Sequence, residues 1–223
     1  MKKQTLILII TLGVFVVLAL FTKGSFFLSP ENISGLRGGN DYGLQTGDLV
    51  FQTSTSSQSE AIQLATNSPY SHMGIVFEMS GRIWVFEAVQ PVEAIPLRDW
   101  INRGKDRKFV AKRLKKAETL LDKTGKVRLQ LEAEKHVGKD YDLLFSWTDE
   151  QMYCSELVWK MYRDALGIEV GELQSLRDFD LSHPKVQSTL KARYGKEIPL
   201  EDTVISPAAV FDSKLLELVE IKD

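Results

Sequence analysis

Cysteine is nearly absent from this chain: Cys154 is the only one in 223 residues. No internal disulfide can form, and zinc frameworks built on four cysteines are excluded. Histidine is almost as scarce, with three. An excess of one charge is missing as well. Lys and Arg number 28 against 30 Asp and Glu, a formal charge of −2. That balance argues against a nucleic-acid partner, which calls for a basic stripe or a high pI. No internal repeat is visible. What is present is the material of a core, since 43% apolar and 26% charged residues suit a folded domain rather than disorder. The length suits one domain with an appendage.

The appendage is at the start. Lys2 and Lys3 precede an apolar run, Leu6–Phe21, which meets Lys23. As a helix the run spans roughly 24 Å, slightly short of the ~30 Å of bilayer hydrocarbon but longer than the core of a typical signal peptide. No small-residue cleavage pattern follows it. Residues 1–23 are expected to form one hydrophobic helix, a signal peptide or N-terminal membrane anchor, with the anchor favoured. Either places the remainder outside the cytoplasm. Residues 24–40, with Pro30, Gly35, Gly38 and Gly39, read as a linker, and 41–223 as the functional domain.

Within that domain, Gly47–Phe51 reads as a turn feeding a strand, and Glu60–Ala65 as a helix capped by one of the serines in 54–59. The runs Met73–Phe77 and Ile83–Phe86 flank a turn and predict a hairpin. Leu97–Ile101 reads as a helical turn and Phe109–Leu114 as a strand. Leu120, Leu121, Val127 and Leu131 recur at helical intervals within Ala117–Val137. The clearest helix is Cys154–Leu166, with Leu157, Val158, Met161, Tyr162 and Ala165 on one stripe and Gly167 as its C-cap. The 168–200 stretch is polar and irregular, either a lid or a surface excursion. Ser206 before Pro207 caps a last short helix, and Leu216–Ile221 alternates like a strand. Strands cluster around the hairpin and helices lie at both ends, so the fold class is α+β, an antiparallel sheet packed against helices.

Cys154 opens the predicted helix. A thiol there feels the positive end of the helix dipole, which favours the thiolate, and the free amides of that first turn can hold an oxyanion. This is where a nucleophile belongs. Of the three histidines, His136 and His183 read as solvent-exposed, whereas His72 stands directly before the strand Met73–Phe77. Glu87 interrupts the apolar pattern of the second hairpin strand. Either two-residue turn, at Met79-Ser80 or Ser80-Gly81, puts His72 and Glu87 on one face, opposite each other or one step diagonal. Thiol, imidazole and carboxylate make a triad by role: nucleophile, base and orienter. One cysteine and one well-placed histidine leave too few ligands for zinc, so no metal and no cofactor is expected.

Gly47-Asp-Leu-Val-Phe51, Ser71-His-Met-Gly-Ile-Val76, Phe86-Glu87, Gly138-Lys-Asp-Tyr-Asp142 with Phe145, and Tyr153-Cys-Ser-Glu-Leu-Val158 follow in that order. The set resembles the circularly permuted NlpC/P60 cysteine hydrolases of the YiiX/YebB-like group, in the papain-like superfamily, over residues 41–215. The resemblance implies a sheet-borne His72 preceding a helix-borne Cys154, the reverse of the usual papain-like order. It implies Cys154 as nucleophile, His72 as base and Glu87 as third polar residue, with Tyr153 lining the site or helping to hold the oxyanion. It further implies an exported thiol hydrolase acting on amide bonds through an acyl-enzyme, cell-wall (peptidoglycan) peptides being the first expected substrate. A lipid esterase or acyltransferase is the alternative, and predicts an apolar groove beside Cys154 lined by Phe145, Trp147 and Met152. A catalytically silent scaffold of the same fold is the third reading.

Overall fold

A computed structural model describes residues 42–221; the expected N-terminal helix and the linker lie outside the described residues. Six strands form one wholly antiparallel sheet: β1 (Leu49–Gln52), β2 (His72–Met79), β3 (Arg82–Glu87), β4 (Glu93–Pro96), β5 (Val110–Leu114) and β10 (Leu216–Leu218). Their spatial order is β10-β5-β1-β2-β3-β4. Between them run α1 (Ser59–Thr66), α2 (Leu97–Arg103), α3 (Ala117–Leu120), α4 (Lys123–Glu134), α5 (Cys154–Leu166), α6 (Pro184–Tyr194) and α7 (Pro207–Phe211). Two two-stranded pairs complete the fold: β6 (Asp140–Tyr141) with β7 (Gln151–Met152), and β8 (Gln174–Ser175) with β9 (Thr203–Val204). The α+β expectation therefore matches the architecture.

The sheet is covered on both sides, which is why β1 is buried along its whole length. Val50, Val76, Val85 and Trp100 belong to one cluster that brings α2 against the sheet. Helix α5 packs on β2 and β3, with α4 and α7 beside it. The amphipathic stripe read for α5 is the face it buries: Leu157, Val158, Met161 and Tyr162 are all inaccessible. Gly47 anchors this packing. It adopts φ +93°, a left-handed value that favours glycine, and its carbonyl accepts from the Tyr162 hydroxyl. The neighbouring Asp48 is fully buried and receives Arg113 at two points, Nε and Nη2, each 2.7 Å away.

Several elements depart from the sequence reading. The N-cap of α1 is Gln58, with no side-chain bond to the helix, rather than a serine. The Ala117–Val137 run is two helices, α3 and α4, and Asp122 starts α4 by accepting from Gly125 N–H at 2.8 Å. The buried face of α4 carries Leu129 and Ala133, while Val127 and Leu131 are 48% and 55% exposed. Ser206 does cap α7, accepting from Ala209 N–H at 3.0 Å. The irregular 168–200 stretch contains α6, which begins with Pro184 at its first turn. Leu190 and Val186 of α6 pack with Leu64 and Ala65 of α1.

Candidate active site

The turn of the β2–β3 hairpin is Ser80-Gly81, with Met79 paired to Arg82 and Ile75 to Phe86. Continuing that register sets Glu87 against Gly74, one step diagonal from His72, as the second of the two expected registers requires. His72 Nε2 reaches Glu87 Oε2 directly. Gly74 permits this approach. A Cβ there would strike Val85 Cγ1, sit 2.9 Å from Phe86 O, and press on Glu87 Cβ at 3.4 Å.

Glu87 is 1% exposed and is the hub of a buried network. Trp100 Nε1–H donates to Oε2 at 2.9 Å, and Arg103 Nη1 donates to Oε1 at 2.9 Å. Its cross-strand partner is Glu93, a like-charge pair that would repel. Arg103 resolves it by forking, its second nitrogen lying 3.0 Å from Glu93 Oε1. His72 also stacks on Trp100, ring centroids 6.2 Å apart. Trp100 and Arg103 fall at i and i+3 on α2, so one face of that short helix aims both at the carboxylate.

Cys154 is the first residue of α5, after Tyr153 in extended conformation (φ −102°, ψ 165°). It is 4% exposed and close enough to His72 to raise the pKa of the imidazole. Because Nε2 of His72 is engaged by Glu87, Nδ1 is the nitrogen left for the thiol. Burial works to lower the His72 pKa, but the hydrogen bonds to Cys154 and Glu87 and the charges of both outweigh it. The imidazole is pushed up to about 10. Three separate elements, α5, β2 and β3, thus bring Cys154, His72 and Glu87 together.

Tyr153 presents its ring edge to Phe145 at 4.7 Å, and its hydroxyl oxygen accepts from Ile205 N–H at 3.0 Å. Burial drives its phenol pKa well up. Glu156 holds the helix start: it pairs with Lys160 at 2.9 Å and accepts from Tyr153 N–H. Burial outweighs Lys160 and raises its pKa to about 7.

Another tyrosine lines the same cavity as the thiol. Tyr141 is half-buried at the site, and its pKa is raised first by desolvation and then by the charge of Cys154. Its oxygen accepts from Gln58 Nε2 at 3.0 Å, and Gln58 Oε1 in turn receives Arg193 at 2.7 Å. The phenol proton of Tyr141 has no acceptor among the described residues. Sequence reasoning placed Tyr141 in a motif without giving it a role, and missed Trp100, Arg103 and Gln58. The only sequence signal was the aromatic–basic pair spaced for one helical face in 97–103.

Cys154 opens onto an apolar cavity of about 100 Å3 between α1, α6 and residues 204–207, while His72 and Glu87 face a wider cleft of about 1280 Å3 with a mixed lining. Phe145 lines the cavity. It has φ +51° in a loop that Asp142 pins by accepting from Leu144 and Ser146 N–H, and Arg193 lies 4.3 Å above its ring. Trp147 and Met152, also expected to line a groove, do not. Trp147 packs on Trp159 at 5.5 Å, and Met152 is wholly buried in β7. His183 accepts from Lys185 N–H at the exposed start of α6, but His136, read as exposed, is 6% exposed. The last turn of α4 carries it inward, 3.5 Å from Glu132, and burial lowers its pKa to about 4.

A helix-borne thiol, a sheet-borne imidazole and an orienting carboxylate, with the sheet preceding the helix in the chain, define a papain-like architecture with permuted order. Residues 43–220 match the family described as permuted papain-like amidase enzymes, YaeF/YiiX, C92 family, and the chain belongs to it. That family replaces the NlpC/P60 label suggested by the motifs; the permuted papain-like core is common to both. The chain is 52% identical over 175 residues to the uncharacterized protein YiiX of Escherichia coli K12, covering 78% of this chain and 85% of that one. It also matches the crystal structure of metalloprotein YiiX from Escherichia coli O157:H7, with a TM-score of 0.76 and 52% identity. The match covers 78% of this chain and 96% of that one.

Proposed function

We propose that the chain is a thiol amidase in which Cys154, His72 and Glu87 act as nucleophile, base and orienter. The observation that carries this is the placement of Cys154, at the start of α5, within electrostatic reach of a His72 whose Nε2 is held by buried Glu87. His72 Nδ1 takes the thiol proton, and Sγ attacks the amide carbonyl carbon. The oxyanion is held by the free amide of Cys154 at the helix N-terminus and by the unclaimed Tyr141 proton. The imidazolium gives its proton to the departing amine, the C–N bond breaks, and a thioester remains. Water then attacks the thioester with His72 as base, releasing the acid and the thiol. Trp100 and Arg103 act through Glu87 as positioning residues.

The solved relative is described as a metalloprotein. In this chain no group of three His, Cys, Asp or Glu converges among the described residues, and Glu87 already occupies one nitrogen of His72. The donor set does not fit a closed metal centre.

Of the two substrate readings, the cavity favours the one with an apolar acyl half. Wall peptides would set small and charged side chains against an apolar wall. Export remains part of the proposal and rests on the Lys2–Phe21 pattern; among the described residues no helix is long and apolar enough to cross a membrane. The test is alkylation of Cys154 by iodoacetamide at pH 7 in the wild type and in His72→Ala. A fall of tenfold or more in the variant is expected; equal rates would return the chain to the silent-scaffold reading.

A further inference from the structure

Cys154 lines the apolar cavity and His72 does not, whereas His72 lines the wider cleft and Cys154 does not. In the reaction proposed above, the thiol bonds the acyl half and the imidazolium serves the departing amine. The two spaces are therefore assigned to the two halves of the substrate. Gln58, Ser71, Tyr141, Thr189 and Arg193 line both, so the spaces meet at the scissile bond.

The cavity wall is carbon from four directions: Ile62 of α1, Leu176, Leu190 of α6 and Val204 of β9. Four of its hydroxyl side chains already bond within the protein. Thr66 donates to Ile62 O, Ser71 bonds Ser59, Thr189 donates to Lys185 O, and Ser206 accepts from Ala209 N–H. A peptide chain entering here would bury backbone N–H and C=O groups without partners, which is strongly unfavourable. A hydrocarbon chain has none to satisfy. A volume of about 100 Å3 holds on the order of eight water-sized groups.

The cleft is more polar than the cavity and carries charged side chains. Lys185, Arg103 and Arg193 line it, against the single carboxylate of Glu87, which Arg103 already faces. The Lys185 ammonium has no ion-pair partner among the described residues. Such a lining attracts an anion.

We propose, on the basis of the thiol-amidase reading, that the substrate is an N-acyl amide with an apolar acyl chain of roughly six to ten carbons and an acidic amine half. Sγ of Cys154 takes the acyl group as a thioester. The C–N bond breaks, the amine leaves with the proton from His72, and water releases the fatty acid.

The experiment uses the full chain with N-acetyl-, N-hexanoyl-, N-octanoyl- and N-dodecanoyl-L-glutamate, beside N-octanoyl-L-lysine. Released acid is measured by mass spectrometry. Octanoyl-glutamate is expected to exceed acetyl-glutamate in kcat/KM by at least about a hundredfold, from apolar area buried, and to exceed octanoyl-lysine. Ala65→Phe, which fills the cavity from α1, is expected to move the optimum to hexanoyl, and Ile62→Ala to move it to dodecanoyl. A flat chain-length profile, or an optimum that neither variant moves, would overturn the inference. So would an absence of turnover on every member while Cys154 alkylation still depends on His72; the thiol-amidase reading would then stand. Alkylation that ignores His72 would overturn both.

Discussion

Glu87 gathers more of the site than any other side chain, receiving His72, Trp100 and Arg103 on two oxygens. Its charge helps hold the His72 imidazolium up to about 10. The sign follows directly. A raised base pKa keeps the imidazolium through neutral pH and lets it go as pH rises through the folded value, so activity should fall on an alkaline limb near that pH. Glu87→Gln removes one cause of the rise. The limb is expected to move toward 6.5 and kcat to fall by roughly 10²-fold or more, read from a pH–rate profile; an unmoved limb would dissociate Glu87 from the base. His136 works in the other direction. Its pKa is lowered to about 4 by burial, so its contribution is complete above 6.5 and is lost as pH falls toward 4. Glu156, raised to about 7, contributes fully below 4.5 and loses that as pH rises through 7, so the two oppose each other in one window. Comparison of variants separates them: His136→Leu should lose less stability than wild type between pH 7 and 4.5, by on the order of 2 kcal/mol, in urea midpoints. The pairing of His72 with Glu87 could be read from hairpin register because cross-strand geometry is local. Trp100, Arg103 and the unclaimed proton of Tyr141 could not, because only the packing of α2 and of the 138–153 segment brings them in.

At the scale of elements, α5 and α4 show when periodicity is enough. The α5 stripe is backed by the sheet along its length, so apolar spacing and buried face coincide, and both ends fall where Cys154 and Gly167 predict. In α4 the apolar residues Val127 and Leu131 form a helical pair that faces outward, while Leu129 and Ala133 share the buried face with Glu132. A stripe whose buried side includes Gly125 and a carboxylate carries too little apolar signal to identify the face. The consequence is measurable by thermal or urea denaturation. Leu129→Ala should lose about 2–5 kcal/mol, whereas Leu131→Ala should stay within about 0.5 kcal/mol. A similar loss from both would mean that α4 is turned the other way. Helix α6 was hidden for a related reason: its sequence, Pro184–Tyr194, is largely polar, and it is held by a small cluster with α1 and by Arg193 reaching Gln58.

For the molecule as a whole, the order of elements in the chain matters less than what they pack against. The hairpin carrying His72 and Glu87 precedes the helix carrying Cys154, and the antiparallel sheet still receives that helix on β2 and β3. The late strand β10 joins the far edge beside β5, away from the hairpin that carries His72 and Glu87. An active site built on a rigid sheet and a helix start leaves the N-terminal segment free to do something else, and its basic-then-apolar pattern suits tethering. An apolar acyl substrate makes tethering useful, since such chains concentrate in a bilayer. The expectation is that the full chain expressed in Escherichia coli sediments with membranes and is digested by protease added to spheroplasts. A form lacking residues 1–23 should stay in the cytoplasmic fraction, resist that protease, and keep its His72-dependent alkylation of Cys154. Full-length protein that remained soluble and protected would remove both the anchor and the export, and would place the proposed acyl-amide substrate inside the cell.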